Sequence, residues 1–170
     1  MSATIIPYHP QYKLQVEEIF FESSTKKEFK DQAEKIEFEW KYLGFYLTHF
    51  SQYAWLAIYE GKVLGYVIGM PHTNDPELNH IQPHLKAFEE QFKLFPAHLH
   101  INCHHETRGK GIGKALILRL IAQLRVEKIS GLHIMTDTTS ENRFFYQRLG
   151  FDFEFVSGHV LFMGIRIQLS

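Results

Sequence analysis

The period of apolar and polar positions changes several times along the chain, and each change marks an element. Ile5-Ile6 is a short apolar start, read as an edge strand, and Pro7 and Pro10 end it. Over residues 11–23, Leu14, Val16, Ile19 and Phe20 recur at helical spacing. Residues 26–48 carry Phe29, Ala33, Ile36, Trp40, Leu43 and Leu47 in the pattern of one or two further helices, interrupted at Gly44. Ala54 to Tyr59 and Val63 to Met70 are aromatic and β-branched runs joined by Glu60-Gly61-Lys62, which predicts a β-hairpin. Residues 71–96 hold Pro71, Pro76, Pro83 and Pro96 around one amphipathic stretch, Leu85, Phe88 and Phe92. That reads as a loop with a helix inside it, and a long excursion between strands is a place where function concentrates.

The second half alternates strand and helix. His98 to Cys103 is a strand, and Gly111 to Arg125 is a helix with Ile112, Ala115, Leu116, Leu120 and Leu124 on one face. Leu132 to Thr136 is a strand, and Glu141 to Leu149 a short helix stopped by Gly150, where a left-handed cap is favoured. Phe151 to Phe155 and Val160 to Gln168 read as antiparallel strands around Ser157-Gly158. Hairpins mixed with strand-helix-strand units predict an α/β fold with a mixed sheet. With no repeat or linker, 170 residues read as one domain over 1–170.

Composition narrows the function classes. Eighteen basic and 19 acidic residues give a formal charge of −1, which lacks the electrostatic footprint of a nucleic-acid binder. No apolar run approaches the roughly 20 residues that span a bilayer. Met1-Ser2-Ala3-Thr4 has neither the basic nor the apolar region of a signal peptide, and the single cysteine cannot form an internal disulfide. The expectation is a cytoplasmic protein, monomer or homodimer, with no nucleic-acid or membrane partner. The 15 Phe, 8 Tyr and 2 Trp serve core packing or an aromatic-lined pocket.

The strongest chemical signal is Arg108-Gly109-Lys110-Gly111-Ile112-Gly113, between the strand ending at Cys103 and the helix after Gly111. Glycines let a backbone approach a ligand closely, and the N–H groups of a helix start favour an anion. Arg108, Lys110 and Lys114 add positive charge, so the segment reads as a diphosphate cradle. A Walker A loop would need Gly at 108 and Ser or Thr at 115, where this chain has Arg108 and Ala115. The dinucleotide fingerprint needs G-x-G-x-x-G, whereas the spacing here is G-x-G-x-G.

What remains, R-x-x-G-x-G, resembles the pyrophosphate loop of the GNAT acyl-CoA transferases. Asn142-Arg143-Phe144-Phe145-Tyr146-Gln147-Arg148-Leu149-Gly150-Phe151 is similar to that family's N-x-x-x-F-Y-x-x-L-G-F block, and Tyr146 lies 38 residues after Arg108. The likeness covers residues 97–156 well and the hairpin at 55–70 loosely. It implies the GNAT fold: a central mixed, mostly antiparallel twisted sheet flanked by helices. It implies acetyl-CoA as cosubstrate, with the pantetheine arm along the backbone of Ile101 and Cys103. The diphosphate is expected on Arg108, Gly109, Lys110, Gly111, Ile112, Gly113 and Lys114, with Asn142, Phe145 and Tyr146 beside the cofactor. Tyr146 is the expected general acid, because collapse of the tetrahedral intermediate expels a thiolate. The N-terminal half and His98-Leu99-His100-Ile101-Asn102 are similar to the acetyltransferase-like domain of O-GlcNAc hydrolases and its free-standing bacterial relatives. Those relatives often carry Asp where this chain has Asn102, and an amide is no carboxylate base.

His98, His100 and Asn102 alternate and so share one face of the strand. His100 is the preferred base, since imidazole titrates near neutral pH; a hydrogen-bonded structural histidine is the other reading. A metal site drawn from His98, His100, His104 and His105 is the lesser alternative, because His104 and His105 are expected on opposite faces and no cysteine pair supports zinc. Cys103 reads as a small apolar strand residue. The resemblance implies a primary amine of a small molecule, a peptide or a protein as acceptor, with Trp40, Tyr42, Tyr46, Tyr53, His72, His80 and His84 as candidate lining. The competing function is a catalytically silent module that binds acetyl-CoA or a protein partner.

Overall fold

The computed structural model describes residues 3–107 and 109–168. Its seven strands are β1 (Thr4–Pro7), β2 (Trp55–Tyr59), β3 (Lys62–Met70), β4 (Ala97–Cys103), β5 (Gly131–Asp137), β6 (Phe153–Ser157) and β7 (Val160–Arg166). They run in the sheet order β1-β2-β3-β4-β5-β7-β6. The β4–β5 pair is parallel, while β1–β2, β2–β3, β5–β7 and β6–β7 are antiparallel, so the expected mixed, mostly antiparallel sheet is present. Among the described residues no helix is long and apolar enough to cross a membrane. The chain divides into two compact units.

The first unit holds the residues up to Gly69 together with His100–Leu120. β1 pairs with β2 from Thr4↔Ile58 to Pro7↔Trp55 and is an edge strand, as expected. The β2–β3 hairpin turns through Glu60 (φ 49°) and Gly61 (φ 78°), both left-handed, which suits the twist of the flanking strands. Helix α1 (Lys13–Ser23) buries Val16, Ile19 and Phe20. Leu14, expected on that face, is 79% exposed, because it lies two residues and about 200° around the helix from Val16.

The next helix starts later than its apolar pattern suggests. Asp31 caps α2 (Gln32–Glu39) by accepting the Glu34 N–H at 2.9 Å. Gly44 does not break the helix that follows. It closes a π-helical turn, Trp40–Gly44, that leads into α3 (Phe45–His49), and a Cβ there would come within 2.9 Å of Glu39 Oε2. Leu43, Phe45 and Tyr46 are thereby turned into the core.

Gly65 sets how closely β3 and β4 approach. A Cβ at this position would lie 2.8 Å from Cys103 Sγ and 3.0 Å from the Asn102 carbonyl oxygen. The Gly65→Ala variant is expected to lose about 1–3 kcal/mol by overpacking, read as a lower denaturant midpoint at unchanged m-value. Wild-type stability in that variant would mean that the strands separate freely at this point.

Met70–Leu99 and Ile121–Ser170 make up the second unit. The proline-rich excursion contains α4 (Pro76–Ile81), a 3₁₀ segment (Pro83–Phe88) and α5 (Glu89–Phe92), more helix than the single one expected. These pieces bury Leu78, Leu85, Phe88 and Phe92, and Phe88 stacks on the fully buried Phe162 of β7. Helix α6 (Ile112–Val126) belongs to the first unit up to Leu120 and to the second from Ile121, and α7 (Asn142–Arg148) lies in the second. On α6, Ile112, Leu116, Leu120 and Leu124 are buried as expected, whereas Ala115 is exposed. The helix ends through Lys128 in the left-handed region (φ 61°), with the Ile129 N–H returning to the Leu124 carbonyl at 2.9 Å. After α7, Gly150 takes φ 93°, as its position predicts, and the Phe151 N–H returns to the Tyr146 carbonyl at 3.1 Å.

Candidate active site

Residues 104–114 lead from β4 into α6 within the first unit. Gly109 and Gly111 adopt φ 76° and 78°, and a Cβ on either would meet nothing within 4 Å. Backbone conformation rather than crowding therefore demands glycine, and the space above both is open. The Lys110 N–H closes on the Thr107 carbonyl at 3.2 Å, and the Ala115 N–H closes the first turn of α6 on the Gly111 carbonyl at 3.0 Å. The N–H groups of Ile112, Gly113 and Lys114 precede the first intrahelical bond and point out of the helix end, as an anion site requires. Lys110 and Lys114 are exposed, Gly113 is half-buried and Ile112 is buried. Arg108 lies outside the described residues.

The β4 face carries the next group of expected residues. The ladder of β4 with β5 holds Ala97↔Leu132 and His98↔His133, while β4 runs on through Ile101 to Cys103, both half-buried. His98 belongs to the second unit, is buried, and its Nδ1 lies 2.8 Å from Thr73 Oγ1. His100 and Asn102 belong to the first unit and are half-buried. His100 Nε2 lies 3.1 Å from the Tyr46 hydroxyl, and its ring meets those of Tyr46 and Tyr42 edge-on. Asn102 donates its amide to the Tyr66 hydroxyl at 2.7 Å. Burial pushes the Tyr66 phenol well above its ordinary value, outweighing the opposing effect of the Asn102 hydrogen bond. Tyr66 is thus held as the neutral phenol, and its oxygen fixes the Asn102 amide.

In the second unit, Asn142 opens α7 and is exposed, while Phe145 and Tyr146 are half-buried. Two edge-on contacts hold the Tyr146 ring, from Phe145 at 5.2 Å and Phe151 at 5.5 Å. Of the candidate acceptor lining, Tyr46 and Tyr53 are buried, and Trp40 packs edge-on against Phe45 and His49.

One expectation is corrected. His104 and His105 do not point to opposite faces, because β4 ends at Cys103 and a 3₁₀ turn (His105–Thr107) follows. Their rings lie 4.5 Å apart at 31°, and both meet the Glu22 carboxylate at the end of α1. The hydrogen bond from His105 holds Glu22 below the usual carboxylate range. Tyr46, Tyr66 and Glu22 as partners of His100, Asn102 and His104-His105 were not foreseen. They come from 36 to 83 residues away, where sequence spacing carries no signal.

Residues 51–152, more than half of the chain, match the family model of the acetyltransferase (GNAT) domain. Among solved structures, SsHAT aligns over 99% of this chain and 100% of its own, with a TM-score of 0.83 at 21% identity. The PaiA N-acetyltransferase of Thermoplasma acidophilum, in complex with coenzyme A, aligns over 98% and 99%, with a TM-score of 0.67 at 14% identity. YncA of Salmonella typhimurium, with its cofactor acetyl-CoA, aligns over 99% and 95%, with a TM-score of 0.65 at 14% identity. At these identities the structural likenesses speak for the fold. No curated protein matches the chain. The family match bears out the resemblance carried by the loop and the Asn142–Phe151 block, and with it an acyltransferase that uses acetyl-CoA.

Proposed function

Starting from a chain that belongs to the GNAT acetyltransferases, we propose that it transfers acetyl from acetyl-CoA directly to a primary amine, of a small molecule or of a peptide or protein. The observation that carries this reading is the pair of open left-handed glycines, Gly109 and Gly111, at the start of α6. The diphosphate sits on the N–H groups of residues 109–114, with Lys110, Lys114 and Arg108 supplying charge. The pantetheine runs along Ile101 and Cys103, whose strand extends past its two-pair ladder with β5. Asn142 and Phe145 stand beside the cofactor. Both units are read as one acetyltransferase domain, since the family match runs through residues of each.

In the reaction, the free amine attacks the thioester carbonyl carbon and a C–N bond forms. The tetrahedral intermediate then collapses, the C–S bond breaks, and Tyr146 protonates the departing thiolate. The amine proton leaves to His100, directly or through a water. Asn102 has no basic group to offer, and its amide is committed to Tyr66. Transfer is direct, so Cys103 carries no acyl group.

His100→Ala is expected to slow kcat/KM roughly 10²-fold and to remove the limb that rises through the range where an imidazole titrates. A pH-rate profile of both proteins checks this, and an unchanged profile means that the acceptor arrives neutral or that another group takes the proton. The proposal as a whole is tested by a crystal structure with acetyl-CoA. The diphosphate is expected on residues 109–114 and the thioester within reach of the Tyr146 hydroxyl; a diphosphate bound elsewhere overturns it.

A further inference from the structure

From Glu22, His104 and His105 we infer a binding site for a divalent transition-metal ion of the zinc class, apart from the acetyl-transfer machinery. All three residues lie in the first unit, at the end of α1 and the end of β4. One ligand atom from each lies within 4.8 Å of the others, so side-chain rotations would bring them to the roughly 3.3 Å that separates donors around a tetrahedral ion. His104 offers Nε2, 3.6 Å from Glu22 Oε2, and His105 offers Nδ1, which contacts Glu22 Oε1. Two imidazoles and a carboxylate suit zinc, cobalt or nickel rather than calcium or magnesium, which prefer all-oxygen shells.

A second feature points the same way. The other ring nitrogen of His104, Nδ1, lies 3.9 Å from the carboxylate of the exposed Glu106, which a side-chain rotation would bring into the hydrogen bond that orients a metal-bound histidine. Nδ1 also lies 3.4 Å from the Glu106 backbone nitrogen as its acceptor, and ligation of an ion through Nε2 would move the ring proton to Nδ1 and exchange this bond for one to the carboxylate. Two protein nitrogens and one carboxylate leave a position for water. The site is half open to solvent, so an ion can enter without unfolding. Thr107 ends the same 3₁₀ turn, and its carbonyl accepts the Lys110 N–H, so an ion here would brace the segment that leads into the diphosphate cradle.

The test is calorimetric titration of the untagged full chain with zinc chloride in a non-chelating buffer at neutral pH. One ion per chain is expected, and removal of a ligand in His105→Ala or Glu22→Gln should weaken binding by at least the roughly 10–100-fold that loss of an outer-shell partner costs. His80→Ala, exposed near the end of α4, should bind as the parent does. Imidazole NMR of the unaltered chain gives a reading independent of any variant: the His104 and His105 resonances should shift at one equivalent of zinc. Absence of binding, binding that survives both variants, or shifts confined to other histidines would each overturn the site.

Discussion

The Gly111→Asp variant is expected to fold and to lose acetyl-CoA. Gly111 has φ 78°, and a Cβ there touches nothing within 4 Å, so the fold pays only the left-handed backbone penalty of about 1–2 kcal/mol. The ligand meets a carboxylate where its diphosphate should rest. Two unit charges about 5 Å apart repel by roughly 3 kcal/mol at an effective dielectric near 20, and the diphosphate carries more than one. Solvent at this exposed loop screens part of that, and the side chain also occupies the open space above the glycine. The dissociation constant should therefore rise about 100-fold or more. Gly61→Asp is the matched control: φ is also 78°, the surroundings are equally open, and the residue sits in the β2–β3 turn. Calorimetry should show acetyl-CoA binding lost in the first variant and kept in the second. Parental affinity in a folded Gly111→Asp chain would remove the diphosphate from this loop.

Tyr146→Phe carries the second large effect. The ring is held by Phe145 and Phe151, and phenylalanine keeps both contacts while deleting the proton donor. The fall should appear in kcat, about 10²–10⁴-fold, with acetyl-CoA affinity unchanged. A hydroxyl that acts only as the thiolate departs, as proposed for Tyr146, leaves ground-state binding of the cofactor unchanged when it is lost. An equally fast Phe variant would mean that solvent protonates the thiolate.

The residues that the sequence made legible are those whose role depends on near neighbours. The β2–β3 hairpin announced itself by two β-branched runs around Glu60-Gly61, and α7 by its block and by Gly150. The loop proposed for the diphosphate was legible because alternate glycines, Gly109, Gly111 and Gly113, and a helix start fall in one segment. The partners of β4 were not. His100 meets Tyr46 and Asn102 meets Tyr66 only after helices and strands far apart in the chain are packed together. Strand alternation also gave the wrong answer for His104 and His105, because it was carried two residues past the end of β4, into a 3₁₀ turn. The π-helical turn at Trp40–Gly44 has the same apolar pattern as a continuous α-helix, so nothing in the periodicity marks it.

Amine-dependent release of the CoA thiol from acetyl-CoA is the most direct measurement of transfer. The panel should span small diamines, peptides with free N-termini and lysine-containing peptides, with mass analysis of each product. For at least one class, thiol release should depend on the amine, match the acetylated product one to one, and fall about 10²-fold or more in Tyr146→Phe. Tight binding of acetyl-CoA with no amine-dependent thiol release from any class would contradict the account and leave a module that binds the cofactor without using it.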